Sequence, residues 1–363
     1  MRKCVVTETI QNYKCPCCGS PLSFDGKTQN MHCKSCGNDF SAETMQQLEG
    51  ENKKSHYDWD NYEPRSFSEA EQGGFASYTC PSCGAEITGD DSMGATVCPY
   101  CGNSTIVQGK FEGAARPDYI VPFKTDKKSA MEAFENACKK APFLPNAFKD
   151  RKKIKEMSGV YVPFWMFDCE CDADISYNAQ QVSHWSDSRY DYTKVDHFRL
   201  IRSGSIGFEN IPADASKKTD DTYTEAVEPF DCSEAVDFAP GYISGFLAEK
   251  YDVSAEERKQ RANERVKRST EEMFRSTTGG YSAVETASSY IGFSGGKIRY
   301  ALLPIWMLNI KYGDKSYRYA INGQTGKVAG DYPVDKHKKR MFFLKTLGIA
   351  YAAAAVIVLL LLK

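Results

Sequence analysis

Eight of the 14 cysteines in this chain stand in two matching rulers. "CPCCGSPLSFDGKTQNMHCKSCG" runs from Cys15 to Gly37, and "CPSCGAEITGDDSMGATVCPYCG" runs from Cys80 to Gly102. Each ruler holds two Cys-x-x-Cys pairs separated by 14 residues. Two residues between paired cysteines let the chain turn tightly and aim both sulfurs at one point, as a tetrahedral four-thiolate site requires. A glycine follows every pair (Gly19, Gly37, Gly84 and Gly102), where the turn must exit. In three of the four turns Pro follows the first cysteine and presets the bend. This pattern assigns Cys15, Cys18, Cys33 and Cys36 to one zinc ion and Cys80, Cys83, Cys98 and Cys101 to a second. Cys17 takes the place held by Ser35, Ser82 and Tyr100 in the other turns, so it is left out. With four thiolates no coordination position stays open, and both ions are read as structural.

The rival to metal is a pair of disulfide knots. The start, MRKCVVTETI, has no apolar core of signal-peptide length. The body is therefore expected in a reducing compartment, where regular cysteine spacing means metal before disulfides. Each ribbon also has a thin candidate core: Leu22, Phe24, Met31 and Phe40 in the first, Ile87, Val97, Ile106 and Val107 in the second. About 25 residues bury too little to fold unaided. Structural zinc supplies on the order of 10–16 kcal/mol.

These turns resemble the zinc-ribbon superfamily, over about residues 13–42 and 78–107. Ribbons bind DNA, RNA and proteins alike, so charge has to discriminate. Between Phe75 and Gly109 there is no Lys or Arg, while Glu86, Asp90 and Asp91 are present. The first ribbon is near neutral. A phosphate-binding face needs clustered cations. The expected partners are proteins, with nucleic acid as the alternative. Tyr100 and Ile87 are the expected exposed anchors on the second ribbon.

The length of 363 residues suggests two or three domains, and the net charge of −2 excludes bulk attraction to nucleic acid. Residues 1–49 hold ribbon 1 and 76–110 hold ribbon 2. Residues 50–75 are polar and aperiodic and read as a linker whose aromatics (Tyr57, Trp59, Tyr62, Phe67) could dock on a neighbour. Residues 117–335 read as a β-rich α+β domain. "DKKSAMEAFENACKKA" predicts a helix with Ala130, Phe134, Ala137 and Ala141 on one face, capped by Thr125 or Asp126 and ended by Pro142. Ser254 and Glu257 make a capping box at the start of a charged helix to Arg275. The strand pattern VPFWM at 162–166 returns as LPIWM at 303–307, which predicts two similar lobes sharing a sheet.

Catalytic patterns are missing. "GFSGGK" at 292–297 and "GQTGK" at 323–327 do not fit the phosphate-loop pattern and read as turns. His184 and His197 lie near Asp187, Asp191 and Asp196 in a polar stretch read as an irregular surface loop. Cys169 and Cys171 alternate along a strand and read as buried small side chains. The chain is read as no enzyme.

The tail from Met341 to Leu362 is 22 residues with one charge, Lys345. As a helix it would span about 33 Å, enough for a bilayer core of about 30 Å. The basic segment 336–340 precedes it. The positive-inside rule then predicts a single-pass protein of the cell membrane with its N-terminal body in the cytoplasm. The fold class expected is thus multidomain: two small Cys4 ribbons, an α+β middle and one C-terminal transmembrane helix, 341–362, contacting the lipid bilayer.

Two Cys4 ribbons, the VPFWM/LPIWM strands and this tail together resemble bacterial membrane-anchored double zinc-ribbon proteins. These are often labelled TFIIB-type zinc ribbon or primosomal (replication restart) helicase. The resemblance implies an adaptor linked with SPFH-like proteins and phage-shock membrane-stress systems. No Walker A motif is present, against the helicase label. The function expected is a membrane-anchored zinc-binding adaptor that presents ribbons to cytosolic or membrane-associated proteins. The alternative is a membrane-tethered nucleic-acid-binding ribbon protein of replication or transcription.

Overall fold

The structure is a computed structural model. It describes residues 13–17, 19–26, 28–41, 44–45, 54–68, 75–90, 98–103, 107–110, 115–141, 143–145, 157–217, 221–312 and 315–361. The chain divides into two compact units. The first comprises Met1–Asp60, Phe167–Ile211 and Lys259–Lys297; the second comprises Asn61–Met166, Pro212–Arg258 and Ile298–Lys363.

In chain order the first strands are β1 (Ser23–Asp25), β2 (Asn30–His32), β3 (Asp39–Ser41), β4 (His56–Trp59) and β5 (Arg65–Ser66). Next come β6 (Phe75–Thr79), β7 (Glu86–Asp90), β8 (Val107–Lys110), β9 (Ala115–Arg116) and β10 (Tyr119–Ile120). Helix α1 (Lys127–Lys140) precedes the long strands β11 (Ser158–Ser186) and β12 (Asp191–Asp214). Then follow α2 (Asp221–Val227), β13 (Val236–Asp237), β14 (Leu247–Glu249) and α3 (Ala255–Ser276). The chain closes with β15 (Ala283–Tyr312), β16 (Lys315–Asn322), β17 (Val328–Gly330) and α4 (Lys336–Leu361).

In the first unit, β1, β2 and β3 form an antiparallel sheet in which Phe24, Met31 and Phe40 lie in one cross-strand row. Strand β4 comes from the stretch read as a linker. It pairs in parallel with β15, Gly292 opposite His56 and Gly296 opposite Trp59. So "GFSGGK" lies within a bulged strand and is not a turn between strands. Trp59 is buried, and its indole N–H donates to Asn263 Oδ1 at 2.7 Å. Within this unit Ala262, Val266, Thr270 and Phe274 make the buried i, i+4 stripe of α3. Cys171 Sγ lies 3.7 Å from Thr270 Oγ1. Cys169 and Cys171 are both buried, and burial pushes the Cys169 thiol up to about 12, so neither is poised for chemistry. His184 and His197 sit on β11 and β12, on a regular hairpin where the sequence suggested an irregular loop.

The second unit is built on a large sheet in the order β13-β10-β15-β11-β14-β7-β6-β8, with β16 on β15 and β17 on β16. Helix α1 is capped as expected: Asp126 accepts the Ser129 N–H at 2.8 Å. Its buried face is Ala130, Phe134 and Cys138, one step round from the predicted Ala137 and Ala141. Pro142, the predicted stop, lies outside the described residues. The capping box of α3 also forms, with the Ser254 N–H on Glu257 Oε2 at 2.8 Å and the Glu257 N–H on Ser254 Oγ at 3.3 Å.

Two expectations about the fold are overturned. The α+β middle with two lobes is instead dominated by the large sheet. VPFWM and LPIWM lie on neighbouring strands, β11 and β15, of that one sheet. Val162, Phe164, Met166, Leu303, Ile305 and Met307 enter a single core. The pattern repeats because adjacent strands buried on both faces share a physical demand, a near-continuous apolar run. It does not mark duplicated lobes.

The second correction concerns the tail. Helix α4 forms, but among the described residues no helix is long and apolar enough to cross a membrane. Its first ten residues carry Lys336, Lys338, Lys339, Arg340 and Lys345. The transmembrane assignment for 341–362 is withdrawn. With it goes the single-pass localisation and the orientation drawn from 336–340.

Candidate metal centre

The four Cys-x-x-Cys turns share one backbone. In each, the first cysteine's carbonyl accepts from the glycine four residues on: Gly19 to Cys15, Gly37 to Cys33 and Gly84 to Cys80 at 2.8 Å, Gly102 to Cys98 at 2.9 Å. The same cysteine's N–H donates five residues ahead, to Ser20, Asn38, Ala85 and Asn103, at 2.7–2.9 Å. Closing this loop needs a left-handed residue, and the glycines supply it at φ of 75, 73, 68 and 70°. The turn at Asn322–Lys327 has the same bonds, with Gly326 at φ 73°. There Asn322 Oδ1 accepts the N–H groups of Gln324 and Thr325 at 2.8 and 3.0 Å. In the second ribbon Cys80 is bonded by the N–H groups of Ser82 and Cys83 in the same relative positions. A sulfur thus replaces a carboxamide oxygen in one turn geometry.

These turns bring Cys80, Cys83, Cys98 and Cys101 together with all four sulfurs within 4.8 Å of one another. Cys80 and Cys101 are 3.6 Å apart, and Cys83 and Cys98 are 3.7 Å apart. A tetrahedron with metal–sulfur bonds of about 2.3 Å has edges of about 3.8 Å, whereas a disulfide bond is about 2.05 Å. Among the described residues no cysteine is in a disulfide. In the first ribbon Cys15, Cys33 and Cys36 form the corresponding group, with Cys15 and Cys36 sulfurs 3.5 Å apart. Cys18, the fourth predicted ligand, lies outside the described residues. Cys17 is exposed and outside the group. Both clusters could therefore hold a metal ion, and the first expects a fourth donor from Cys18.

Electrostatics within the second cluster are uneven. Burial pushes the Cys80 thiol up, but N–H groups of Cys83 and Ser82 and the neighbouring sulfurs outweigh it and bring its pKa down to about 7. Burial raises Cys83 and, more strongly, Cys98. A cation among them would reverse that cost, since thiolate is the ligand form.

The two ribbons are set differently. In the second, β7 pairs antiparallel with β14, Ile87 opposite Glu249 and Thr88 opposite Ala248. Asn309 Nδ2 donates to the Pro99 carbonyl inside its last turn at 2.5 Å. Tyr100 and Ile87, expected as exposed anchors, are 3% and 0% exposed, because this ribbon is an integral part of the second unit's sheet. In the first ribbon most described positions are exposed, and Phe24, assigned to its core, is 55% exposed.

One polar connection had no sequence signal beyond Tyr100 replacing a small residue in its turn. Tyr100 Oη donates to Glu249 Oε2 at 2.5 Å, and Ser216 Oγ donates to Glu249 Oε1 at 2.6 Å. Asp214, also buried, accepts from the Ser216 N–H and the Thr224 hydroxyl at 2.7 and 2.9 Å. Burial pushes the Glu249 carboxyl up to about 8, helped by Asp214 and Asp252 and opposed by the Ser216 and Tyr100 bonds. A raised carboxyl binds its proton more tightly folded than unfolded. Its stabilisation is therefore full below about pH 4.5 and is lost as pH rises toward 8. Thermal unfolding followed from pH 5 to 8 should show stability falling by a few kcal/mol across that window. Glu249→Gln is expected to flatten the slope; an unchanged slope would assign it to other groups.

Comparison with known proteins places the chain. It is 32% identical over 351 residues to "Uncharacterized protein YdjG" of Bacillus subtilis (strain 168), covering 97% of this chain and 98% of that protein. The chain belongs to the YdjG family. No protein-family model matches it, and no solved structure does. The likeness to YdjG extends over nearly the whole chain and is not confined to the cysteine rulers.

Proposed function

We propose that this chain is a zinc-binding scaffold without catalytic activity, in which the two ribbons have different tasks. Each ruler holds one zinc through its four cysteines: Cys15, Cys18, Cys33 and Cys36 in the first, Cys80, Cys83, Cys98 and Cys101 in the second. Zinc in the second ribbon stabilises the body. Zinc in the first holds a small module that presents the exposed Phe24 to protein partners. The observation carrying this reading is the contrast in exposure: Phe24 open on the first ribbon, Tyr100 and Ile87 enclosed on the second. A Cys4 zinc centre carries net negative charge, and Phe75–Gly109 has no Lys or Arg to offset it. That favours protein over nucleic acid as partner. The resemblance drawn from the sequence adds SPFH-like proteins as candidates.

Purified full-length chain should contain two zinc ions. Phe24→Ala should keep both, because the knuckles do not depend on that ring. The same change should lower nuclease-resistant capture of a specific protein partner several-fold, as loss of an aromatic anchor does. Retention on nucleic acid at ~150 mM salt, lost on chelation, would overturn the protein-scaffold reading.

A further inference from the structure

Among the described residues β12 pairs with β11 alone, so its outer side is an edge. From Asp191 to Arg199 every residue is exposed except Asp196 and Arg199, which are intermediate. The hairpin register is well defined. The Asp187 N–H donates to the Tyr190 carbonyl at 2.9 Å. Trp185 stacks on Tyr192, with ring centroids 5.4 Å apart and planes at 10°. His184 Nδ1 lies 3.0 Å from Thr193 Oγ1, and Arg199 Nη1 donates to Asn178 Oδ1 at 2.7 Å. All four relations share one register, so the strand does not slip across this stretch. Antiparallel bonding alternates along a strand. Tyr190 bonds inward, and so do 192, 194, 196 and 198. Residues 191, 193, 195, 197 and 199 then turn their backbone N–H and C=O groups outward.

Natural edges are usually guarded by short length, proline, bulges or isolated charges. The stretch "DYTKVDHFR" has no Pro or Gly, and its charges are not isolated. Reversed about Val195, it complements itself: Lys194 meets Asp196, Asp191 meets Arg199, and Tyr192 meets Phe198. We propose that this edge is a homodimer interface, in which two copies of the chain pair antiparallel about a two-fold axis at Val195. At the axis each Val195 offers its outward N–H and C=O to Val195 of the second copy, a hydrogen-bonded pair. Lys194 and Asp196 already pair along the strand at 2.9 Å. Opposite a second copy they become a square of alternating charges. Tyr192 against Phe198 adds an aromatic cross-strand pair on each side of the axis.

The occupant follows from the sequence itself. A strand complementary to its own reverse selects its own copy, and no unrelated partner is owed that match. A polyanion gains nothing here, because Arg189, Lys194 and Arg199 are balanced by Asp187, Asp191 and Asp196. The two-fold uses both edges at once, so pairing closes at a dimer rather than growing into a fibre.

Full-length, metal-loaded chain at tens of micromolar should sediment as a dimer. Lys194→Glu sets like charges at both symmetric contacts and should raise the dimer dissociation constant by at least about tenfold. Asp196→Lys should do the same. Mixing those two variants restores opposite charges at every such contact and should return the dimer as a heterodimer. Val195→Pro removes the outward N–H at the axis without touching the inward ladder and should give monomer with metal content unchanged. A monomeric wild type, a dimer indifferent to Val195→Pro, or a mixture that stays monomeric would each overturn the proposal.

Discussion

Replacing Cys98 with serine is expected to unfold the second unit well beyond its ribbon, whereas replacing Cys33 with serine should cost the first ribbon alone. The difference lies in what each cysteine cluster is attached to. Cys98 is fully buried, and Cys80, Cys98, Tyr100, Ala85 and Ile87 belong to the same apolar core as Val162, Phe164, Leu303 and Ile305. Strand β7 hands the ribbon's order to β14 by hydrogen bonds, and Tyr100 hands it to Glu249. Structural zinc contributes on the order of 10 kcal/mol, and a domain's whole stability is about 5–15 kcal/mol. Losing that site therefore removes most of what holds the unit. In the first ribbon the sheet is three short strands with Met31 the one buried residue among their nine, so a comparable loss stays local. Hydrogen exchange separates the cases. With Cys98→Ser, amides of 247–249 and of 158–166 should lose protection. With Cys33→Ser they should keep it. Protection at 247–249 surviving Cys98→Ser would show that the sheet stands without its ribbon.

That asymmetry was not legible in two identical rulers. Spacing encodes the turn, because Cys-x-x-Cys-Gly is a local demand on dihedrals and sulfur direction, and all four turns obey it. What surrounds a turn is decided by residues far away in sequence. Tyr100 looks like a surface residue of a small ribbon, and Ile87 like part of that ribbon's own thin core, until β14 and Asn309 are placed beside them. The same holds for VPFWM and LPIWM. Their composition correctly marks strands buried on both faces, but composition does not say whether two such strands belong to two cores or one. Local signals did better: Asp126 and the Ser254–Glu257 box cap their helices through bonds of three residues' reach. The tail shows the reverse error. The sequence divides a basic segment, 336–340, from an apolar tail, whereas one helix begins at Lys336 and carries those cations within it.

Trp59→Ala is expected to destabilise the first unit by about 3–5 kcal/mol, the cost of emptying a large aromatic site. Residues 50–75 have the composition of a tether, and a tether would lose nothing. The packing around Trp59 predicts otherwise. Its ring meets Phe167 edge-on at 4.9 Å and Phe293 at 4.6 Å. Its N–H is held by Asn263. A Cβ at residue 296 would come within 2.4 Å of the indole, so Gly296 is the residue that lets the ring lie over β15. The register shift of β15 between Phe293 and Gly296 falls at this same place. Three segments of the unit therefore converge on one side chain. Trp59→Phe keeps much of the ring contact but strips Asn263 of its donor, and should cost roughly 1–2 kcal/mol. Gly296→Ala should rival Trp59→Ala, because it expels the same ring from the other side. Urea unfolding of the full chain, followed by exchange at 283–297, distinguishes the outcomes. If Trp59→Ala leaves both the midpoint and that protection unchanged, β4 is a passenger on β15 and the tether reading is restored.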